Sequence, residues 1–395
     1  MMTDYDNLLN PKVVEMKPSG IRRFFDMAAQ MQGVISLGVG EPDFKTPWAI
    51  RQTGIETLRK GRTCYTANAG LRELRQEIAK YLKNAVHTDY DPDHEILVSV
   101  GGSEAIDLSV RACVAPGDEV LVVEPSFVCY SPIISMMGGV PVPIETKVED
   151  EFRLTAEQLR AAITPKTKML ILPFPNNPTG AIMRREDLEA IAEVIRETNI
   201  FVLSDEIYSE LTYSGKHVSI VEIDGMRERT ILINGFSKSF AMTGWRMGFA
   251  AAPEGIMKHI LKLHQYCIMS APTTSQYAAI TALRDCMNDT VKMKNEYNIR
   301  RRLVVDGFNR LGLTCFEPQG AFYVFPCIRS TGLSSEEFCE KLINSMKVAV
   351  VPGNAFGDCG EGFIRVSYAY SVTHLKEALK RIGEFLKVLE QEKQK

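Results

Sequence analysis

The sequence predicts an α/β fold, with a mostly parallel seven-stranded sheet in a large domain and a smaller α+β domain after it. Between about residues 48 and 288, short apolar segments alternate with amphipathic helices, which is typical of a parallel sheet covered on both faces. After residue 288 this alternation ends, and a long charged helix, two strand-like segments and a closing helix follow. We therefore expect an N-terminal segment at 1–47, a large domain at 48–288 and a small C-terminal domain at 289–395.

The individual elements can be placed in chain order. Strands of the large domain are expected at residues 96–100, 119–123, 140–144, 169–174, 201–204, 230–234 and 248–252. The helices between them are expected to begin near Glu104, Ser131, Thr155, Arg185 and Gly255. In the small domain we expect a helix at 291–311, strands at 321–325 and 362–368, and a last helix from residue 373. The first 45 or so residues are irregular, and we expect them to form a flap beside the small domain.

Composition and charge exclude several classes of protein. The chain has 395 residues with 46 basic and 49 acidic side chains, so it lacks the basic excess with which proteins neutralise nucleic-acid phosphates. No apolar run approaches the ~20 residues of a membrane span, and the acidic, polar residues 1–6 do not resemble a signal peptide. Nine cysteines occur without a Cys-x-x-Cys pair, and six histidines form no metal-ligand pattern. We expect a cytoplasmic protein with no bound metal, no nucleic-acid partner and no membrane association.

Lys238 follows the apolar segment 230–234, within Asn-Gly-Phe-Ser-Lys-Ser-Phe-Ala-Met-Thr-Gly-Trp-Arg-Met-Gly at 234–248. Its neighbours are Gly, Ser and Phe rather than other charges, which favours a partly desolvated amine over a solvated surface lysine. A desolvated amine loses its proton more readily and can form a Schiff base with an aldehyde. Arg246, eight residues later, is a fixed cation suited to a phosphate.

Small polar residues follow the predicted strand at 96–100. In open parallel sheets the ligand lies at the carboxyl ends of the strands, so these positions deserve separate consideration. Gly102 and Ser103 begin a helix there and can bring backbone N–H groups close to a phosphate. A glycine pair before a helix is also common as a plain turn. The dinucleotide motif would require a third glycine, which is missing.

Two further strand ends carry groups that suit a pyridine ring. Asn177 lies in Pro-Asn-Asn-Pro-Thr-Gly at 175–180, which supplies an amide donor but also has turn-forming residues. Asp205 follows the strand at 201–204, where it would keep a pyridine nitrogen protonated or would cap a helix. Tyr208 could reach a hydroxyl group of the same ring. Together with Lys238 and Arg246, these residues are the set that a phosphorylated pyridine aldehyde requires.

With these motifs the chain resembles the class I/II aminotransferases, the pyridoxal-phosphate enzymes of PLP-dependent transferase fold type I (the aspartate aminotransferase fold). The resemblance rests on Pro-Asn-Asn-Pro-Thr-Gly, on Ser-Asp-Glu-Ile-Tyr and on Ser-Lys-Ser-Phe-Ala-Met-Thr-Gly-Trp-Arg-Met-Gly, and it extends from residues 35–44 to 364–369. Within the family the chain is most similar to the prokaryotic subgroup with aromatic-amino-acid, aspartate and N-acetyl-diaminopimelate aminotransferases. The resemblance implies pyridoxal 5′-phosphate as cofactor, a homodimer with shared active sites, and amino-acid and 2-oxo-acid substrates.

The resemblance also implies a role for each matching residue. The implied catalytic residues are Lys238 on the cofactor aldehyde, Asp205 at the ring nitrogen and Tyr208 at the ring hydroxyl. The implied cofactor-binding residues are Lys238, Gly102, Ser103, Phe127, Asn177, Asp205, Tyr208, Ser237, Arg246 and Tyr65. The implied substrate-binding residues are Gly40, Asn177 and Arg365. In this scheme Phe127 stacks on the ring, Tyr65 reaches the phosphate of the neighbouring subunit, and Arg365 binds the substrate α-carboxylate.

The chain departs from the family pattern in two places. Many relatives carry a phosphate-binding Ser three residues before the lysine, where this chain has Gly235, so the role of Ser237 stays open. The arginine that binds acidic side chains in vertebrate-type aspartate enzymes has no matching motif. Arg111, Arg22 and Arg23 are candidates for a distal substrate carboxylate, with a plain surface charge as the alternative for Arg111.

The implied reaction is transfer of the amino group of an L-amino acid, aromatic or acidic, to 2-oxoglutarate in two half-reactions. Aromatic donors come first, because we expect Phe24, Phe127 and Tyr130 to line the pocket, while acidic donors and acetylated diaminopimelate stay open. A pyridoxal-phosphate lyase on the same fold would use the same lysine and aspartate. A transcription regulator would need a DNA-binding segment, and a nicotinamide oxidoreductase would need the missing glycine motif.

Overall fold

The computed structural model describes residues 5–16, 18 and 20–393, except for the side chains of residues 22 and 25. The helices of this part are α1 Pro11–Val14, α2 Gly20–Ala29, α3 Trp48–Arg59, α4 Arg72–Ala85, α5 Gly101–Cys113, α6 Tyr130–Met136, α7 Ala156–Ala162, α8 Arg185–Arg196, α9 Phe236–Ser239, α10 Glu254–Cys267, α11 Thr273–Asp285, α12 Met287–Arg310, α13 Ser335–Met346 and α14 Val372–Lys393. The strands are β1 Ile35–Ser36, β2 Ile96–Ser99, β3 Glu119–Glu124, β4 Val140–Glu145, β5 Thr167–Leu172, β6 Phe201–Asp205, β7 Thr230–Gly235, β8 Gly248–Ala251, β9 Tyr323–Val324, β10 Val348–Ala349, β11 Val351–Pro352 and β12 Ile364–Ser367.

A seven-stranded sheet forms the centre of the molecule. Its strand order is β2-β8-β7-β6-β5-β3-β4, and every neighbouring pair is parallel except the two pairs that β8 makes. The predicted mostly parallel sheet is therefore confirmed, and each predicted strand lies within two residues of the observed one. The apolar segments are found here because strands covered on both faces bury successive side chains on opposite sides.

The two faces of this sheet pack against different helices. Val98 of β2 and Leu232 of β7 belong to a buried cluster with residues of α3, α4 and α11. Leu97 and Ile231, the residues just before them, belong to a second cluster with α5, α6 and α10. Burial on both sides fixes the strand register, since a shift by one residue would exchange the two sets of side chains.

The C-terminal part forms its own small sheets, to which the N-terminal segment contributes. Strands β11, β12 and β9 form an antiparallel sheet in that order, and β1 pairs in parallel with β10. Phe24 and Leu37 are buried in the same cluster as residues of α12, α13 and α14. The N-terminal segment thus packs against the C-terminal part of the described chain, while the division at residues 47 and 288 stays a prediction.

Two helix starts differ from the sequence prediction. Helix α5 begins at Gly101 rather than near Glu104, because the Glu104 carboxylate accepts a hydrogen bond from the Val100 N–H, at 2.5 Å, and so satisfies the helix end from within the first turn. Helix α12 begins at Met287, four residues before the predicted start. None of the described helices is long and apolar enough to cross a membrane.

Candidate active site

A cavity of about 460 Å³ opens where β5, β6 and β7 end at their carboxyl termini. Its walls come from the segments after these strands, from the start of α5, from the N-terminal segment and from β12. The lining residues are Ile21, Gly40, Glu41, Gly102, Ser103, Ile106, Phe127, Tyr130, Pro173, Pro175, Asn177, Asp205, Ile207, Tyr208, Ser237, Lys238, Thr243, Gly244, Arg246, Tyr323 and Arg365. Parallel strands place their ligand at this edge because all their carboxyl ends meet there.

Lys238 projects from the short helix α9, directly after β7. Its Nζ donates a 2.6 Å hydrogen bond to the Gly40 carbonyl oxygen. Burial, with further contributions from the cations of Arg365 and Arg246, lowers the pKa of Lys238 to about 8, against the opposing charge of Glu41. An amine with this pKa is partly neutral near physiological pH, and a neutral amine can attack an aldehyde.

Asp205 is the last residue of β6 and is buried at the floor of the cavity. Its Oδ2 accepts a 2.7 Å hydrogen bond from the Tyr130 hydroxyl, and its Oδ1 accepts one from the Ile207 N–H at 3.2 Å. Burial raises the pKa of Asp205, although both hydrogen bonds favour the ionised form. A protonated ring nitrogen at this point would supply the positive charge that this buried carboxylate lacks.

The start of α5 lies against Arg246 in an arrangement that suits an anion. A Cβ atom on Gly101, where φ is +73°, would lie 2.5 Å from Arg246 Nη2, and one on Gly248 would lie 2.5 Å from the Gly101 carbonyl carbon. Glycine at both positions therefore lets the helix end approach the guanidinium closely. No described carboxylate pairs with Arg246. Its charge and the N–H groups of Gly102 and Ser103 suit a phosphate group.

Arg365 extends from β12 and is buried between two aromatic rings. Its Cζ lies 4.6 Å from the ring centroid of Tyr323 and 4.7 Å from that of Phe356. Its Nη1 donates to Asn177 Oδ1 at 2.8 Å and its Nη2 donates to the Gly38 carbonyl, whereas Nε has no partner among the described residues. A buried guanidinium with an unused N–H and no carboxylate partner suits a ligand carboxylate.

Two tyrosines connect this arginine to the floor of the cavity. The Tyr208 and Tyr323 hydroxyl oxygens lie 2.8 Å apart, within hydrogen-bonding distance. A Cβ atom on Gly40 would lie only 2.4 Å from the Tyr323 hydroxyl oxygen, so Gly40 is needed for this approach. The Gly40 carbonyl, Lys238 and the tyrosine pair are thereby held in one compact group.

The structure brings nearly all of the predicted site residues together. Those that line the cavity are Gly40, Gly102, Ser103, Phe127, Asn177, Asp205, Tyr208, Ser237, Lys238, Arg246 and Arg365. Tyr65 does not line it, and its side chain is 81% exposed. Phe24, expected in the pocket wall, is buried in the C-terminal core instead, and Ile21, one helical turn earlier on α2, takes the place at the cavity.

The arginines considered for a distal carboxylate lie elsewhere. Arg111 forms a 2.7 Å ion pair with Asp107 on its own helix. Arg23 pairs with Glu336 and Glu340 at the surface. The side chain of Arg22 lies outside the described ones. The side chains of Arg111 and Arg23 do not line the cavity. The basic residues of the described lining are Lys238, Arg246 and Arg365.

Sequence reasoning missed Tyr323 and Glu41 and gave Tyr130 only a role in the pocket wall. Tyr323 lies inside a two-residue strand, where nothing in the local sequence sets it apart from a core residue. Glu41 follows Gly40 and borders the cavity, where its charge acts on Lys238. The position of Tyr130 shortly after β3 was the available signal, because strand ends border the site. The described residues contain no cluster able to hold a metal ion.

Comparison with known proteins identifies the family. Residues 32–382 match the family model for aminotransferase class I and II. The chain belongs to the class I and II aminotransferases. It is 52% identical to the putative aminotransferase YugH of Bacillus subtilis, covering 98% of this chain and 99% of the relative. Two other relatives cover 96% of this chain: aromatic-amino-acid aminotransferase 2 of Thermococcus litoralis, at 45% identity and 98% of its length, and the probable N-acetyl-LL-diaminopimelate aminotransferase of Bacillus subtilis, at 44% identity and 96% of its length.

Solved structures agree with this assignment. The crystal structure of Pyrococcus protein A1 has a TM-score of 0.94 at 46% identity, covering 95% of this chain and 98% of that one. The aspartate aminotransferase of Thermus thermophilus with maleate has a TM-score of 0.91 at 36% identity, covering 95% and 99%. This aminotransferase therefore has PLP-dependent transferase fold type I, as predicted. The roles of its individual site residues stay predictions.

Proposed function

We propose that this aminotransferase binds pyridoxal 5′-phosphate and transfers the amino group of an aromatic L-amino acid to 2-oxoglutarate. The observation that carries the proposal is that a partly neutral lysine amine and a buried carboxylate without a described ion-pair partner face the same cavity, beside a helix start and an arginine that suit an anion. These three features fit the aldehyde, the ring nitrogen and the phosphate of this cofactor.

The residues of the chain would hold the cofactor at several points. Lys238 would bind its aldehyde carbon, Asp205 its ring nitrogen, and Arg246 with Gly102, Ser103 and Ser237 its phosphate. Asn177 and Tyr208 would donate to the ring hydroxyl oxygen, and Phe127 would cover one face of the ring. When bound, pyridoxal phosphate supplies an electron-accepting ring that stabilises negative charge at the α-carbon of the donor.

Lys238 and Arg365 would divide the work on the substrate. Arg365 would orient the donor through its α-carboxylate, using the unpaired Nε–H, with help from the backbone of Gly40. The Lys238 amine, whose low pKa leaves it partly neutral, would take the proton from the α-carbon of the donor and then deliver it to the cofactor. A charged amine of ordinary pKa could not act as this base near neutral pH.

The lining of the cavity supports an aromatic donor. Ile21, Ile106 and Phe127 provide apolar walls, and the cations of the described lining already have proposed roles. None is left for the distal carboxylate of an acidic donor, and Glu41 at the rim would repel one. The names of two relatives give the alternatives to be tested: one is named for aromatic amino acids and the other for acetylated diaminopimelate.

We also propose a homodimer with shared sites, located in the cytoplasm. Tyr65 lies outside the cavity with an exposed ring, which suits a residue that completes the phosphate site of a second subunit. Trp48 and Tyr266 are also exposed, by 58% and 91%, and would be covered in a dimer. All nine cysteines are free, in keeping with a reducing compartment.

The test is a donor panel with 2-oxoglutarate as acceptor. We expect kcat/KM for Phe and Tyr to exceed those for Asp and acetylated diaminopimelate by about tenfold or more. A preference for Asp would contradict the aromatic assignment but keep transamination. Release of ammonia without a requirement for 2-oxoglutarate would show a lyase and overturn the proposed reaction.

A further inference from the structure

Glu124, the last residue of β3, lies against the loop that carries Phe356. We call residues 353–360 the glycine loop. A Cβ atom on Gly357, where φ is +129°, would lie 2.4 Å from Glu124 Oε2, so the carboxylate is in direct contact with the loop backbone. Within the described part of the chain, this carboxylate has no hydrogen-bond or ion-pair partner. Nothing but packing therefore holds the charged group in place.

The glycine loop is compact. A Cβ atom on Gly353 would lie 2.1 Å from the Gly360 carbonyl oxygen, and one on Gly360 would lie 2.2 Å from the Gly353 carbonyl oxygen. The two ends of the loop are thus in close backbone contact. The loop is joined to the end of β3 by a 2.9 Å hydrogen bond from the Ser126 N–H to the Phe356 carbonyl.

Phe356 connects the glycine loop to the substrate site. Its ring is 2% exposed and lies against the guanidinium of Arg365, 4.7 Å from Cζ to the ring centroid. Tyr323 contacts the same guanidinium at 4.6 Å. Because Arg365 is held between these two rings, a displacement of the glycine loop loosens one side of its support.

We propose that Glu124 is a positioning residue, whose charge state sets the placement of the glycine loop and, through Phe356, how tightly Arg365 binds a substrate carboxylate. This inference rests on the proposed role of Arg365. It assigns no contact with substrate to Glu124 itself, which is absent from the cavity lining.

The groups around Glu124 determine the direction of the effect. Those that face it are Glu145 at the end of β4 and Asp358 and Cys359 of the glycine loop. Burial, together with the charges of Asp358 and Glu145, raises the pKa of Glu124 to about 7. Burial raises the pKa of the Cys359 thiol to about 12, so this group stays neutral. Above about pH 7, ionised Glu124 would repel Asp358 and push the loop away.

The experiment measures binding of 3-phenylpropanoate to the holoenzyme by calorimetry, from about pH 6 to about pH 8.5. Wild type is compared with Glu124→Gln, which keeps the shape and removes the charge. We expect the ratio of wild-type to variant Kd to be near one at the low pH and about three to ten at the high pH. A titration elsewhere in the site affects both proteins and cancels in this ratio.

Two further variants make the result decisive. Glu145→Gln removes a neighbouring negative charge and so lowers the pKa of Glu124. In this variant binding should therefore begin to weaken at a lower pH than in wild type. Phe356→Leu should remove the pH-dependent part of binding. Glu124→Gln should change KM for the donor while kcat stays constant. A constant Kd ratio across this pH range, or an unmoved transition in Glu145→Gln, would overturn the inference.

Failure of the proposed role of Arg365 would give a different pattern of binding results. Arg365→Lys should weaken binding of 3-phenylpropanoate at every pH, because an ammonium group cannot reproduce the guanidinium contacts. Unchanged binding in this variant would refute the role of Arg365 and thus the proposed substrate site. Weakened binding in Arg365→Lys, together with wild-type behaviour of Glu124→Gln, would refute only the role of Glu124.

Discussion

Tyr130→Phe tests whether the hydroxyl of this residue keeps the Asp205 carboxylate ionised. The Tyr130 hydroxyl donates a 2.7 Å hydrogen bond to Asp205 Oδ2 in a buried position. A hydrogen bond to a charged group contributes about 1.5–3 kcal/mol, and about 1.4 kcal/mol corresponds to a tenfold change in rate. If the transition state requires the full charge of Asp205, the variant should lose about ten- to a hundredfold in kcat/KM.

The pH profile gives a second, independent reading of the same change. Burial already raises the pKa of Asp205, and the bond from Tyr130 counteracts this rise. Without that bond the pKa should rise further, so the loss of activity should be larger at low pH and the acid limb of kcat/KM should move to higher pH. A chemically unrelated loss of packing would lower activity equally at all pH values.

The assay is steady-state transamination of Phe with 2-oxoglutarate across the pH range in which the enzyme stays folded. Tyr213→Phe is the matched control, because Tyr213 donates to the Ala321 carbonyl and does not line the cavity. That control should keep its wild-type kcat/KM and pH profile. A folded Tyr130→Phe protein with the kcat/KM of wild type would refute the reasoning.

Three further outcomes are expected. Lys238→Ala should abolish transamination while the melting temperature of the protein stays close to that of wild type, and retained turnover would remove Lys238 from the mechanism. Burial lowers the pKa of Lys238 to about 8, so the rate at which apoenzyme captures pyridoxal phosphate should rise about tenfold per pH unit below this value and level off above it. Stopped-flow absorbance measures this rate. A rate that still rises past about pH 10 would mean that the pKa of the lysine is not lowered. Gly40→Ala should lower kcat/KM by at least about tenfold, because the added Cβ atom would displace the Tyr323 hydroxyl. The control Gly255→Ala lies in a helix with open space around it, and it should keep its activity and stabilise the fold by about 0.5–1 kcal/mol in chemical denaturation. Equal activities of the two variants would contradict the close contact at Gly40.

The sequence by itself determined the central sheet and most of the candidate site. The strands could be placed because fully covered strands need continuous apolar segments, and each such segment is short and bounded by polar residues. Lys238, Asp205 and Asn177 could be selected because parallel topology brings residues after successive strands to one edge. This inference needs only the order of the elements, which the sequence contains.

Only the tertiary structure decided which side chains support these groups. Tyr130 reaches Asp205 across 75 positions of the chain, and Arg365 reaches Asn177 across 188. The tertiary structure also placed Phe24 in the C-terminal core and Arg111 in an ion pair on its own helix. Local periodicity gives the buried face of a helix or strand, but not its neighbour. Contacts between distant elements depend on how helices, strands and loops pack together in three dimensions, because that packing sets which side chains meet and how they are oriented.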